Sequence, residues 1–186
     1  VYIQLIEETL KLGKSSIVLV PEISLTPQTV DRFLSRFGEE KIAVLHSKLS
    51  VGERFDQWKK IEQGKAKIVI GARSAIFAPV KDLGLIIIDE EHEDSYKAES
   101  SPRYNAKEIA SFLGKNAGAP VVLGSATPDM STYYKALNGE IQYIELSKRA
   151  NNSTLPEVEV VDLRKELAYG NKTMISSKLK EEIDKN

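Results

Sequence analysis

Residues 84–92 read Gly-Leu-Ile-Ile-Ile-Asp-Glu-Glu-His, an apolar run that ends in three carboxylates and an imidazole. Adjacent carboxylates repel one another unless positive charge lies among them, and a hard divalent cation such as Mg²⁺ carrying a phosphate chain meets that need. Asp89, Glu90, Glu91 and His92 are therefore read as the acidic side of a nucleoside-triphosphate site. A solvated acidic turn is the alternative on these four residues alone, because short motifs recur by chance.

What must position them is a strand. The run Leu85, Ile86, Ile87, Ile88 has no polar alternation, the pattern of a strand buried on both faces of a parallel sheet. In open α/β sheets ligands bind beyond the carboxyl ends of the strands, which is where the acids fall. Further strands are expected at residues 16–20, 41–45, 67–70 and 120–123, with short ones at 141–146 and 158–161. Helices are expected between them. The first residues place Tyr2, Leu5, Ile6 and Leu10 on one face, and Gly13 ends that helix. A second helix carries the stripe Val30, Phe33, Leu34, Phe37. Ser50 and Glu53 form a capping box for a third, closed by Gly64, with Val51, Phe55, Trp58 and Ile61 on its core side. Asn105 and Glu108 cap a fourth, Pro128 opens a fifth at its first position, and Ser176 or Ser177 caps a last one holding Leu179 and Ile183. Strands and helices alternating at this pitch give a doubly wound, mostly parallel α/β sheet with helices on both faces.

Composition narrows the chemistry. With 41% hydrophobic and 28% charged residues in a chain of 186, there is material for a core, and neither a disordered nor a membrane class fits. The absence of cysteine excludes disulfides and thiolate zinc sites within these residues, so any metal here is held by oxygen. A net charge of −1 gives no global attraction to nucleic acid, which leaves local basic and aromatic groups to supply it. No secretory signal is visible, and a cytoplasmic location without membrane association is expected.

Four loops follow strands in order: Pro-Glu-Ile-Ser-Leu-Thr-Pro-Gln at 21–28, Gly-Ala-Arg-Ser-Ala-Ile-Phe-Ala-Pro at 71–79, Asp-Glu-Glu-His at 89–92 and Gly-Ser-Ala-Thr-Pro at 124–128. With Leu-His-Ser-Lys-Leu-Ser at 45–50, the chain resembles the first RecA-like motor lobe (P-loop NTPase fold) of superfamily 2 DNA helicases, and within them the replication-restart helicases. The resemblance implies roles. Asp89 would hold Mg²⁺ through water, with Glu90 sharing the metal site and acting as the base that orients or deprotonates the water attacking the γ-phosphate of ATP. His92 would bond to the turn of Gly124, Ser125, Ala126 and Thr127 and pass the state of the ATP site onward, although Ser125 and Thr127 can equally cap the helix that follows. Arg73 and Ser74 offer a guanidinium fork and a hydroxyl to single-strand phosphates, and Ser24, Thr26 and Gln28 offer further backbone contacts. Tyr96, Lys97, Arg103 and Tyr104 interleave aromatic and basic groups as single strands require, unless the tyrosines merely pack the loop onto the lobe.

The Gly-x-x-x-x-Gly-Lys-Ser/Thr phosphate loop of such lobes is absent. The chain starts inside the helix that would follow it, so the lobe, residues 1–146, is expected to lack its phosphate-loop strand, and residues 147–186 to lead toward a second lobe and a zinc module outside this sequence. Residues 1–186 alone are expected to hydrolyse ATP negligibly, zinc being expected only elsewhere. The implied whole is an ATP-dependent helicase moving 3′ to 5′ on single-stranded and forked DNA, acting with replication-restart proteins in primosome assembly. Two alternatives remain. One is a non-catalytic nucleic-acid or partner-binding module; the other, an oxygen-ligand metal hydrolase, needs acids from several strands where here they come from one.

Overall fold

The computed structural model describes residues 1–147 and 157–185. Its five apolar runs become β1 (Ser15–Leu19), β2 (Ile42–Leu45), β3 (Ile68–Gly71), β4 (Leu83–Ile88) and β5 (Val121–Leu123), every pairing parallel, in the order β2-β3-β1-β4-β5. Hydrophobicity without alternation produced this outcome because both faces are covered. On one face Val18, Val20, Ile68, Ile70, Leu85 and Ile87 pack with Ile6 of α1 (Tyr2–Lys11) and with Phe33 and Phe37 of α2 (Pro27–Phe37). On the other, Ile17, Leu19, Val69, Ile86 and Ile88 meet Ile61 of α3 (Val51–Glu62) and Ala106 and Ala110 of α4 (Ala106–Ala117). From β1 the chain steps past β3 to β2, returns to β3, then crosses β1 to β4 and on to β5. That reversal sets a crevice at the carboxyl ends of β1 and β4.

Local signals placed the helix ends. Thr26 caps α2 with Pro27 at the first position, and at α3 the Ser50 hydroxyl accepts from Glu53 N while the Glu53 carboxylate accepts from Ser50 N at 2.8 Å. Pro128 sits two positions earlier than expected: the first helical residue of α5 (Met130–Leu137) is Met130, and Asp129 caps it by accepting from Ser131 N, a role that proline, with no side-chain acceptor, cannot fill.

The stripe on α3 divides differently from the sequence pattern. Ile61 is buried, whereas Val51, Phe55 and Trp58 are 88%, 63% and 38% exposed. The helix lies chiefly along β2, an edge strand too narrow to cover more than one row of its side chains.

The chain forms two compact units, Val1–Tyr143 and Ile144–Asn186. The expected strands at 141–146 and 158–161 do not form among the described residues, and Ile144, Val158 and Val160 are exposed. A strand exists by pairing, and neither segment has a ladder partner among those residues. The polar connection expected near 147–156 falls, beyond Ser147, outside the described residues. The second unit instead holds α6 (Leu163–Ala168), capped by Asp162, and α7 (Ser177–Lys185), whose first turn is held by Ser176 Oγ accepting from Leu179 N. No helix among the described residues is long and apolar enough to cross a membrane.

Candidate active site

Asp89 is the first residue beyond β4, and its N–H continues the ladder by donating to Leu19 O at 2.9 Å. Two phenols converge on it. Tyr2 of α1 donates to Asp89 Oδ1 at 2.8 Å and Tyr96 donates to the Asp89 carbonyl at 2.6 Å. Burial pushes both phenols well above the ordinary tyrosine value, reinforced for Tyr2 by the Asp89 hydrogen bond and for Tyr96 by the Asp89 charge, so both remain protonated donors. The other Asp89 oxygen accepts no hydrogen bond from the described residues.

Glu90 follows in a left-handed backbone conformation, φ 45°, uncommon for a residue with a side chain and frequent where function demands an orientation. The turn is fixed by Glu93 N donating to Glu90 O at 2.9 Å, and it leaves the Glu90 side chain 42% exposed at the crevice. Glu91 goes the opposite way. It is fully buried: Oε1 accepts from Asp129 N at 2.7 Å, and Oε2 accepts from Lys107 Nζ at 2.9 Å and Thr132 Oγ1 at 3.0 Å. The cation invoked for the three acids is thus partly the protein's own, since Lys107 neutralises Glu91 and also lies 3.2 Å from Asp129. Hydrogen bonds from Ser131 N and from Lys107 hold the Asp129 carboxyl down to about 2.

His92 Nδ1 lies 2.8 Å from Ser125 Oγ, and the same oxygen accepts from Thr127 N at 2.9 Å. The acidic turn and residues 124–127 are joined further by Glu91 N donating to Gly124 O at 3.0 Å. Gly124 is needed for a close approach: a Cβ there would overlap the Tyr2 hydroxyl. Gly124→Ala should therefore cost about 1–3 kcal/mol, as overpacking does. Combined with Tyr2→Phe, urea midpoints of the four variants should show a cost well below the sum of the single changes. Additive costs would mean that the Tyr2 hydroxyl does not occupy that space.

Of the expected nucleic-acid contacts, Arg73, Ser74 and Lys97 line one groove, and Tyr96 does not reach the surface. Tyr96 is 1% exposed and offers no face for a base; the β4 end closes over it because its hydroxyl finds a backbone acceptor there. Tyr104 meets Phe77 edge to face at 4.9 Å and carries Arg73 over its ring at 5.5 Å. Arg73 Nη1 donates to Ser95 O at 3.2 Å and to Lys97 O, anchoring the loop after the acidic motif. Ser74, Lys97 and Arg103 are exposed, Lys97 beside Asp94 at 2.9 Å and Arg103 donating to Glu99 O at 3.1 Å. Thr26 and Gln28 are exposed at the start of α2, and Ser24 is half-buried in the short turn Glu22–Ser24 before it. That groove, of about 830 Å³, is lined among others by His46, Arg54, Trp58, Arg73, Ser74 and Lys97. Trp58 thereby changes status, from expected core to groove wall.

Sequence reasoning missed Tyr2, Lys107, Asp129 and Thr132. Tyr2 read as one member of an apolar stripe, and no local spacing ties Lys107 to a carboxylate 16 residues earlier.

Comparison with known proteins supplies the family. The DEAD/DEAH box helicase profile matches residues 1–136. The chain is 53% identical over 184 residues to the replication restart protein PriA of Bacillus subtilis, covering 99% of this chain and 23% of that protein. It is 44% identical to the PriA of Treponema pallidum, covering 100% of this chain and 27% of that one. It thus spans about a quarter of the length of these relatives. The helicase domain of Pyrococcus furiosus Hef matches in fold, with a TM-score of 0.50 and 20% identity, over 77% of this chain and 31% of that one. The five-stranded parallel sheet covered on both faces is the RecA-like fold. With its profile matched over residues 1–136 of 186, the chain belongs to the DEAD/DEAH box helicase family.

Proposed function

We propose that this chain is part of the ATP-hydrolysing machinery of a DNA helicase that acts at stalled forks in replication restart. The observation that carries the reading is the pairing of an exposed Glu90 at the crevice with a His92–Ser125 hydrogen bond of 2.8 Å to the neighbouring strand's turn. Such an arrangement lets a change at the nucleotide shift the next loop. Residues 1–146 form the first motor lobe in this reading and residues 147–186 lead out of it.

Asp89 suits Mg²⁺, which keeps several waters and takes one or two carboxylates plus phosphates, because one of its oxygens is already oriented by Tyr2 and the other accepts no hydrogen bond from the described residues. Among the described residues no three acids or imidazoles converge as a self-contained metal cage. Mg²⁺ supplies positive charge to the phosphates when bound. Glu90 orients the attacking water and accepts its proton, with Asp89 and Glu90 together serving the metal. Ser24, Thr26, Gln28, Arg73, Ser74, Lys97, Arg103 and Tyr104 contact single-stranded DNA in this reading, while Gly124, Ser125, Ala126 and Thr127 relay the state of the site with His92. The parent protein works in the cytoplasm, moves 3′ to 5′, acts on single-stranded and forked DNA and meets other restart proteins there; these features rest on likeness to the PriA proteins.

The test is ATP hydrolysis by the full-length protein with and without single-stranded DNA. Strong stimulation is the expected result. A flat, DNA-independent background would instead assign the acidic turn to a binding module without turnover.

A further inference from the structure

We infer that Lys107, with Glu91, Asp129 and Thr132, forms a positioning node through which the loop of residues 97–105 sets the acidic turn and the turn of residues 124–129. The inference rests on the proposed function and deepens it. Glu91 is surrounded by protein alone, since both of its oxygens accept from other elements: Asp129 N, Lys107 Nζ and Thr132 Oγ1. It therefore cannot share a cation with Asp89 and Glu90. Its backbone N–H donates to Gly124 O, so main chain and side chain both grip the segment that carries Ser125.

Lys107 connects this grip to the loop. It stands in the first turn of α4, where its N–H donates to Asn105 Oδ1 at 2.9 Å. Asn105 bridges antiparallel to Lys97, and Ala98 N donates to Tyr104 O at 2.7 Å, so residues 97–105 close on themselves and end at the helix cap. Arg73 holds the near end of the same loop through Ser95 O and Lys97 O. A strand pressing on Lys97, Arg103 or Tyr104 therefore loads the first turn of α4 directly.

The physics makes the connection stiff. Glu91 is 0% exposed and Lys107 15%, and separating such a pair leaves an uncompensated charge in a low-dielectric interior. A shift of Lys107 consequently drags Glu91 and Asp129 with it in preference to leaving them, and the turn of residues 124–129 follows. His92, one residue from Glu91, is then re-aimed relative to Ser125.

The experiment uses the full-length protein and oligodeoxythymidylate as the strand. Turnover rate and KM for ATP are measured with and without DNA for wild type, Lys107→Met, Lys107→Arg and Asp129→Asn, together with DNA affinity. In Lys107→Met and Asp129→Asn the DNA stimulation should fall by about tenfold, a coupling of ordinary allosteric size, while basal turnover and DNA affinity hold. Lys107→Arg should keep most of the stimulation, because it retains the charge. Undiminished stimulation in Lys107→Met, or a proportional fall of basal and stimulated turnover, overturns the node. If Lys107→Met does not fold, Asp129→Asn, whose side chain is 29% exposed, carries the same comparison. A wild-type protein that DNA does not stimulate overturns the proposed function itself, which separates the two failures.

Discussion

Glu90→Gln in the full-length protein should lower ATP turnover by about 10²- to 10⁴-fold, the usual contribution of a positioned base, while nucleotide still binds. The side chain is 42% exposed and the His92 ring nitrogen Nδ1 lies 3.6 Å from it, so the amide removes the proton acceptor without uncovering a buried partner. The backbone also tolerates the exchange: a φ of 45° is equally strained for Glu and Gln, so stability should move by no more than about 0.5 kcal/mol. Steady-state turnover with and without DNA, beside titration with a fluorescent ATP analogue, reads both quantities. Undiminished turnover would remove Glu90 from the chemistry, and lost nucleotide binding with unchanged stability would make it a ligand of the nucleotide instead of the base.

Glu91→Ala, one residue on, should behave in the opposite manner and cost about 3–5 kcal/mol of stability, the loss typical of breaking a buried ion pair from one side. Three donors lose their acceptor at once, namely Asp129 N, Lys107 Nζ and Thr132 Oγ1, and Lys107 is only 15% exposed. Urea unfolding followed by circular dichroism measures the change. Adding Lys107→Met should recover part of the loss, since the stranded cation is then gone. A cost below about 1 kcal/mol, the range of exposed pairs, would mean that solvent reaches Glu91 and that no buried node exists.

These two adjacent acids show where reading the chain stops. Their clustering after an apolar run is visible in the letters, and so is the strand that presents them, because an unbroken run such as Leu85, Ile86, Ile87, Ile88 can only be satisfied between two covered faces. Caps were legible for the same local reason: Ser50 and Glu53 need only each other. The Gly-Ser-Ala-Thr turn and the His92 that meets it were legible as a resemblance, and their hydrogen bond at 2.8 Å is a fact of the folded chain.

Tertiary structure alone decided which acid faces the crevice. Glu90 is turned outward by a left-handed backbone and Glu91 inward by donors that lie 16, 38 and 41 residues away, distances over which no sequence period operates. The same limit explains Tyr96, buried by an acceptor on the backbone of Asp89, and Trp58, left at a groove because its helix lies chiefly along an edge strand. It also explains the apolar segments at 141–146 and 158–161, whose β pattern forms no ladder among the described residues. Hydrophobic pattern and capping are settled between near neighbours and so are written in the order of residues. The partner of a buried charge, the exposure of an aromatic ring and the pairing of a strand depend on what the fold brings beside them, and only the packed chain supplies that.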